Sequence, residues 1–309
     1  MSATSPPLPA AVPPAAATPA DAPVGWRLVF DLFKLRIGIA IGATALAGIA
    51  VAPGTIDGWR ALAVVLAVTL ASAAAGAFNQ YVERDLDRRM QRTRNRAFAT
   101  GRLAAGPIWP LTIGAVALAG IALAWLAANP LAALHTALGA FTYGVVYTVW
   151  LKRRTAWNIV VGGLAGSFAV LAGAAAVNSG MPDPATITFA VVLFLWTPPH
   201  FWSLAIACRD DYAAAGVPML PVVIGDAAAA RAVLRGAVML VAASLLPVFF
   251  GMTWFYGVLA ASGGALLIVR AAQLALEPTR RRALSSFHAS LIQLSLLIVA
   301  ALADPVFRG

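Results

Sequence analysis

The chain has 309 residues and a mean hydropathy of +0.83, and 61% of its residues are hydrophobic while only 11% are charged. Soluble domains carry about a quarter charged residues, so this composition excludes an ordinary soluble domain and a disordered chain. The single cysteine, Cys208, excludes an intramolecular disulfide framework. A formal net charge of +10 is compatible with nucleic-acid binding or with basic loops on one side of a membrane, and the positions of the charges decide between them.

The first 24 residues differ in composition from the rest of the chain. They are rich in Pro and Ala and contain neither Lys nor Arg. A secretory signal peptide needs a basic start and an uninterrupted apolar stretch, and this segment has neither. We interpret residues 1–24 as a disordered cytoplasmic tail and residues 25–309 as one intramembrane domain.

From residue 28 onward, apolar runs recur that are long enough to cross a hydrocarbon layer of about 30 Å. The nine predicted spans lie near residues 35–53, 59–79, 108–128, 131–150, 157–177, 184–206, 231–250, 254–274 and 286–303. The sixth contains Pro198-Pro199, which is expected to kink or interrupt its helix. The pattern predicts an all-α, polytopic membrane protein.

Basic residues are confined almost entirely to one side of these spans. Of 22 Lys and Arg residues, only Arg60 and Arg308 fall in the segments predicted for the opposite side. By the positive-inside rule, the basic side is cytoplasmic, with the N-terminus inside and the C-terminus outside. Topology therefore explains the net charge, and no nucleic-acid partner is expected.

Five of the twelve acidic residues gather at two predicted helix ends on that side. In a continuous helix, Asn79, Glu83 and Asp87 fall within about 80° of one another on a stripe about 12 Å long, whereas Asp85 points elsewhere. An amide and two carboxylates are hard oxygen ligands of the kind that Mg²⁺ prefers. The alternative is that Glu83 and Asp87 form surface ion pairs with the arginines that follow them.

Basic side chains lie close to these acids in the sequence. Arg92, Arg94 and Arg96 follow the first acidic group, and Lys152 and Arg153 begin the next basic loop. Guanidinium groups bind phosphate oxygens in a fork, so acids and bases together predict a metal–diphosphate site. The alternative is that the basic run serves only to fix the topology.

The three histidines lie in predicted spans. His135 and His288 have no acidic neighbours in sequence, and we expect each to be a buried or interfacial imidazole bonded locally. His200 follows the Pro-Pro pair and precedes the second acidic group, Asp210 and Asp211. For His200, a metal-ligand role, an acid–base role and a hydrogen-bonding role all remain open. The Trp and Phe residues around it form either a pocket wall or an interfacial aromatic belt.

Three stretches resemble a known family. They are Asn79-Gln-Tyr-Val-Glu83-Arg-Asp85-Leu-Asp87 with the arginines up to Arg96, the block from Tyr147 to Gly163, and Trp196-Thr-Pro-Pro-His200-Phe-Trp202 with Asp210-Asp211-Tyr212 through Pro221. The first resembles the signature of the UbiA-type intramembrane aromatic prenyltransferases. The last is similar to the protohaem IX farnesyltransferases, or haem O synthases, within that superfamily. The similarity covers residues 27 to 305.

The resemblance implies nine helices around a central cavity that opens to the cytoplasmic face of the inner membrane. It implies Mg²⁺-dependent transfer of a farnesyl group from farnesyl diphosphate to a vinyl group of haem b, which is a substrate, to give haem O. Haem A synthase or oxidase-assembly proteins are the implied protein partners.

Residue by residue, the resemblance assigns roles to positions of this chain. The implied metal ligands are Asn79, Glu83, Asp87, Asp210 and Asp211. The implied catalytic residues are Asn79, Glu83, Asp87, Asp211 and His200. The implied substrate-binding residues are Arg92, Arg94, Arg96, Lys152, Arg153, Tyr147, Trp202 and Tyr212. The chain departs from the family in the second motif, whose acids are usually four apart whereas positions 207 and 215 here are both alanine, and at Phe168-Ala169-Val170, where Pro-Pro is expected.

Two other functions are weighed against this one. The nearest is prenyl transfer to another acceptor, such as a quinone or chlorophyll precursor, which analysis of the product discriminates. The second is a membrane transporter. A transporter is expected to place its acids near the bilayer midplane on broken helices, whereas both acidic groups here lie at the predicted rim beside arginines.

Overall fold

The computed structural model describes residues 25–307, and every regular element in that range is helical. The predicted tail, residues 1–24, lies outside the described residues. The α-helices, in chain order from α1 to α14, are Trp26–Leu32, Leu35–Val51, Gly58–Val82, Arg84–Asp87, Ile108–Ala127, Pro130–Phe141, Asn158–Gly162, Leu164–Val177, Pro184–Ala207, Arg209–Ala214, Leu220–Ile224, Asp226–Leu245, Trp254–Leu276 and Arg280–Ala303. A π-helix spans Thr142–Leu151, and two 3₁₀ helices span Leu246–Phe250 and Asp304–Phe307.

Seven of these helical stretches are long and apolar enough to cross a membrane. An eighth span results if α1 and α2, which are bent by 54° at their junction, are counted together. The segment predicted as the fourth span is also helical, because α6 continues directly into the π-helix. The chain is therefore a multi-pass, all-α membrane protein as predicted, while the count of nine spans and the cytoplasmic opening stay predictions.

Helix α9 runs without interruption through Pro198 and Pro199. The sequence predicted a kink or an interruption here, and the interruption does not occur. Two glycines from neighbouring segments pack closely against this part of α9: a Cβ on Gly163, between α7 and α8, would lie 3.2 Å from the Phe194 carbonyl oxygen, and one on Gly236 of α12 would lie 3.4 Å from the Pro199 ring. Packed neighbours of this kind are what make proline tolerable within a membrane helix.

Helices α2 and α8 touch through their backbones. A Cβ on Gly173 would lie 1.9 Å from the Ala45 carbonyl oxygen, and one on Gly48 would lie 2.2 Å from the Val170 carbonyl oxygen. Small residues permit this approach where van der Waals packing must hold membrane helices together. The contact fixes α8 against the N-terminal half of the bundle.

We expect Gly173→Ala to lower the free energy of unfolding by about 1–3 kcal/mol, because the added methyl group forces two backbones apart. Gly114→Ala on α5 is the matched control, since nothing lies within 4 Å of its added Cβ. The control is expected to be neutral or to stabilise slightly, because alanine favours helix over glycine. Thermal unfolding of the solubilised protein measures both, and equal losses in the two variants would contradict the role given to the contact.

Candidate active site

The predicted stripe of oxygen ligands exists at the end of α3. The Glu83 N–H donates to the Asn79 carbonyl at 3.0 Å and the Asp87 N–H to the Glu83 carbonyl at 2.8 Å, so helical bonding continues from α3 into α4. All three side chains are buried, with at most 3% of their surface exposed. Asp85, off the stripe, is exposed and pairs with Arg88 at 3.1 Å. The alternative of solvated surface pairs is therefore wrong for Glu83 and Asp87.

Each carboxylate of the stripe is paired with a cation from a more distant segment. Lys152 Nζ lies 2.5 Å from Glu83 Oε2, and Arg96 Nη1 donates to both oxygens of Asp87 at 2.9 Å. Burying a charge is costly unless it is paired and hydrogen-bonded, so these cations hold the acids inside the apolar bundle. The site thus contains both the carboxylates and the cations that a metal–diphosphate site requires.

Asn79, the first member of the stripe, is held by a residue that sequence reasoning assigned only to topology. Lys34 Nζ donates to Asn79 Oδ1 at 2.7 Å and lies 3.4 Å from the Tyr143 hydroxyl. The Asn79 amide in turn donates to Thr148 Oγ1 at 3.2 Å. The only signal in the sequence is the position of this lysine between two apolar segments. In the structure, Lys34 lies at the junction of α1 and α2 with a positive φ of 48°.

Glu83 carries an oxygen that the described structure leaves unsatisfied. Its Oε1 atom is buried and has no hydrogen-bond partner among residues 25–307. An unpaired carboxylate oxygen in an apolar interior is costly, and a divalent cation would satisfy it. Asn79 and Asp87, one helical turn to either side, supply oxygens of the same type. These three residues fit a magnesium site.

The π-helix turns Lys152 toward this stripe. In an α-helix with 3.6 residues per turn, Lys152 would stand about 180° away from Tyr143. The wider π-turn, in which the Lys152 N–H bonds the Tyr147 carbonyl at 2.9 Å, brings these residues to one face. Tyr143 and Tyr147 stack there with centroids 5.6 Å apart. Such insertions are frequent at functional sites, and no residue pattern in this segment predicts the π-helix.

The second acidic group plays a different part from the first. Asp211 accepts hydrogen bonds from the backbone N–H groups of Gln91 and Arg92, at 3.2 and 3.1 Å, and so fastens the arginine-bearing loop to α10. Asp210 is exposed. Between residues 25 and 307, no three His, Cys, Asp or Glu side chains converge on one point as a metal cluster. The predicted metal role of Asp210 and Asp211 stays a prediction.

The predicted phosphate ligands divide into two groups. Arg96 and Lys152 point inward and pair with the acids, whereas Arg92, Arg94 and Arg153 are exposed. The loop that carries the arginines is not loose, because Ala97, Phe98 and Leu103 are buried in one cluster with α1, α3 and α5. The buried part of the loop therefore holds its exposed arginines in place.

Aromatic side chains from three segments border the acids. Tyr147 and Phe201 pack against a buried cluster that includes Leu86, Met90 and Tyr212. Trp202 instead belongs to the main core between α9 and its neighbours. The structure therefore brings Tyr147 and Tyr212 together beside the acidic stripe but places Trp202 elsewhere.

His200 is buried in a stack of rings between α9 and α14. Its ring lies 4.1 Å from Trp196 and 4.4 Å from Phe287, and its Nδ1 atom is 2.7 Å from Ser290 Oγ. This geometry favours the hydrogen-bonding alternative among the three left open. Phe201, 5.0 Å away edge-on, connects the stack to the aromatic side chains beside the acids.

Comparison with known proteins agrees with this arrangement. Residues 41–297 match the UbiA prenyltransferase family. The chain is 54% identical over 284 residues to protoheme IX farnesyltransferase 2 of Paramagnetospirillum magneticum, covering 92% of this chain and 98% of that protein.

Two solved structures have the same fold at low sequence identity. One, of a digeranylgeranylglyceryl phosphate synthase, aligns with a TM-score of 0.74 at 18% identity, covering 91% of this chain and 98% of the other. The second, a UbiA homolog from Archaeoglobus fulgidus bound to DMAPP and Mg²⁺, aligns with a TM-score of 0.65 at 14% identity, covering 87% and 98%. With its buried acidic stripe, its helical fold and a match over most of its length, the chain belongs to the UbiA prenyltransferase family.

Proposed function

We propose that this protein transfers the farnesyl group of farnesyl diphosphate to a vinyl group of haem b, giving haem O. The proposal is supported by the relative that shares 54% identity over almost the whole chain and is named for this reaction. The single observation that carries it is the buried stripe of Asn79, Glu83 and Asp87, in which each oxygen-bearing side chain is matched with a cation.

Asn79, Glu83 and Asp87 would hold magnesium, the divalent ion bound in the Archaeoglobus fulgidus homolog. When bound, Mg²⁺ neutralises charge that develops on the leaving diphosphate. The unsatisfied Glu83 Oε1 supports this assignment. Asp211, whose two oxygens accept from the backbone N–H groups of Gln91 and Arg92, holds the basic loop beside these ligands.

Arg96 and Lys152 change partners when the diphosphate arrives. In the absence of substrate, Arg96 is paired with Asp87 and Lys152 with Glu83. A bound metal would neutralise the same two carboxylates and so release both cations. Freed from the acids, the guanidinium and ammonium groups bind phosphate oxygens, and exposed Arg92, Arg94 and Arg153 add positive charge at the opening. These preorganised cations stabilise the negative charge of the leaving group.

The chemistry then proceeds within an apolar site. The bond between the farnesyl C1 atom and the diphosphate oxygen breaks, and its electron pair leaves with the diphosphate. The vinyl π-bond of haem attacks the allylic cation, and water captures the new cation beside the ring and loses a proton, which leaves a hydroxyethylfarnesyl group. Tyr147, Phe201 and Tyr212 border the acids and stabilise the cation through their ring faces while excluding bulk water.

The orientation follows from the charge distribution. With 20 of 22 basic residues on one side, that side faces the cytoplasm of a cell whose inner membrane holds the protein. Farnesyl diphosphate then reaches the acids from the cytoplasm, while haem b and haem O remain in the bilayer. A haem A synthase or an oxidase-assembly protein is the proposed recipient of the product.

Product analysis tests the function. Full-length protein in lipid nanodiscs is incubated with farnesyl diphosphate, haem b and Mg²⁺. The pigments are then separated by reverse-phase chromatography and identified by mass spectrometry. We expect haem O, and we expect none when Mg²⁺ is chelated. Absence of haem O together with prenylation of an added quinone precursor would assign the acceptor to the rival class.

Asp211→Ala is expected to raise the KM for farnesyl diphosphate about tenfold with a smaller change in kcat, because hydrogen bonds to a charged acceptor contribute about 1.5–3 kcal/mol. The variant releases the backbone of Gln91 and Arg92 and so displaces the basic loop. Asp210→Ala, one residue away and exposed, is the matched control and is expected to change KM little. A larger loss in Asp210→Ala would reverse the roles of the two acids.

A further inference from the structure

A second candidate site lies outside the acidic stripe, between α13 and α14. A cavity of about 690 Å³ opens there, and its lining includes three arginines, a histidine and apolar side chains. These lining residues are Arg270, Arg280, Arg281 and His288, with Leu284 and Ile292 among the apolar ones. The proposed reaction at the acidic stripe uses none of them.

The positive charges of the arginines in this cavity are not neutralised by nearby carboxylates within the described residues. Between residues 25 and 307, no carboxylate pairs with Arg270, Arg280 or Arg281, whereas the adjacent Arg282 is paired with Glu277 at 2.8 Å. Arg270 donates only to the neutral side chain of Gln273, at 3.1 Å. Three unneutralised guanidinium groups beside one cavity fit a ligand with more than one negative charge.

The histidine of the cavity is unlike the other two. His288 is exposed, whereas His200 is buried in a stack of rings and His135 is partly buried against Phe168. Neither His288 nor His135 meets the expectation of a locally bonded imidazole: within the described residues no hydrogen bond reaches the His288 ring, and the buried Nδ1 atom of His135 has no partner. His288 stands seven residues after Arg281 on the same helix, which is about 10 Å along the axis. A neutral imidazole with an open approach is a common ligand for iron.

The remaining lining is apolar, with Leu284 and Ile292 on α14 beside His288. The cavity therefore offers cations at one end, an imidazole in the middle and apolar side chains around it. Haem b has the complementary arrangement, with two carboxylates at one edge, iron at the centre and an apolar macrocycle. An anionic phospholipid would use the arginines and the apolar wall but has no use for the imidazole.

A chain of ring contacts leads from the cavity toward the proposed active site. Phe287, whose ring is 5.4 Å from His288, stacks at 4.4 Å on His200, and His200 meets Phe201 beside the acids.

We propose that the α13–α14 cavity is the docking site for the haem substrate, with the arginines binding its two carboxylates and His288 ligating its iron. This inference rests on the proposed function, since it takes haem b as the acceptor. It assigns haem to a site between α13 and α14, in addition to the acidic stripe where the farnesyl group is activated.

Haem titration of the full-length protein in nanodiscs tests the site without any turnover. We expect His288→Ala to lose the absorption spectrum of imidazole-ligated haem and to bind haem about tenfold more weakly. His135→Ala is the matched control and is expected to keep both. Iron-free protoporphyrin separates the two contacts: its affinity is expected to be unchanged in His288→Ala and to fall about tenfold in Arg270→Gln/Arg281→Gln.

Two outcomes would overturn the docking site. One is an unchanged haem spectrum and affinity in His288→Ala. The other is unchanged porphyrin affinity in the arginine variant accompanied by loss of a co-purifying anionic phospholipid, which would assign the cavity to a lipid. Haem O formation by the same wild-type preparation separates this inference from the proposed function. Product with unaltered haem binding in the variants rejects the site alone, whereas no product at all rejects the function.

Discussion

Replacing Asp87 by Asn is expected to lower kcat for haem O formation by about 10²–10³-fold, the usual effect of removing one electrostatic contact from a preorganised site. Asp87 is buried, and both of its oxygens are bonded to Arg96. Asparagine keeps the shape but removes the charge, so the site loses a metal ligand and the means of holding Arg96 in place. The loss is therefore expected in kcat and in Mg²⁺ dependence together.

Asp85→Asn is the matched control for this variant. The two aspartates are two residues apart, but Asp85 is exposed and pairs only with Arg88 on the outer side of α4. Exposed pairs of this kind contribute about 0–1 kcal/mol, so kcat is expected to stay near the wild-type value. Initial rates at several Mg²⁺ concentrations measure both variants. Equal losses, or full activity with normal Mg²⁺ dependence in Asp87→Asn, would remove Asp87 from the metal site.

The stripe itself was predictable because it rests on local geometry. Asn79, Glu83 and Asp87 are four residues apart, and helical periodicity places such residues on one face whatever surrounds them. Their burial was not predicted, because the sequence left solvated ion pairs at the helix end open as an alternative. The all-α membrane fold was predictable, since the length and composition of the apolar runs determine it.

The partners of the stripe could not be predicted, because they depend on tertiary packing. Lys34 is 45 residues from Asn79 in sequence, and Lys152 is 69 residues from Glu83. The π-helix that aims Lys152 has no signature in the sequence, and α-helical periodicity would have turned that side chain away. The role of Asp211 was missed because the pattern shows that an acid is present but not whether it meets a metal or a backbone N–H group.

The proline pair shows the same limit. A single helix cannot bond normally across Pro198-Pro199, so sequence reasoning expected a kink or a break. The helix is nonetheless unbroken, and it packs closely against Gly163, between α7 and α8, and against Gly236 on α12. Tertiary contacts override local propensity where neighbours are this close.

The buried pair of Lys152 and Glu83 leads to the second large effect. Lys152→Met is expected to lower the free energy of unfolding by about 3–5 kcal/mol in the absence of Mg²⁺ and diphosphate, because it leaves a fully buried carboxylate without its cation. Arg153→Met, next in sequence but exposed, is the control and is expected to change stability little. Thermal unfolding in nanodiscs measures the difference.

The double variant Glu83→Gln/Lys152→Met distinguishes a structural ion pair from a functional one. Removing both charges removes the uncompensated carboxylate, so most of the lost stability is expected to return. Activity is not expected to return, because the double variant lacks a metal ligand and a phosphate ligand at once. If stability and activity both recovered, the ion pair between Lys152 and Glu83 would have a structural role only. If neither recovered, the loss would come from packing rather than from charge. We expect stability to return without activity. That result would show that the buried ion pair is kept, despite its desolvation cost, because its two members bind the metal and the diphosphate.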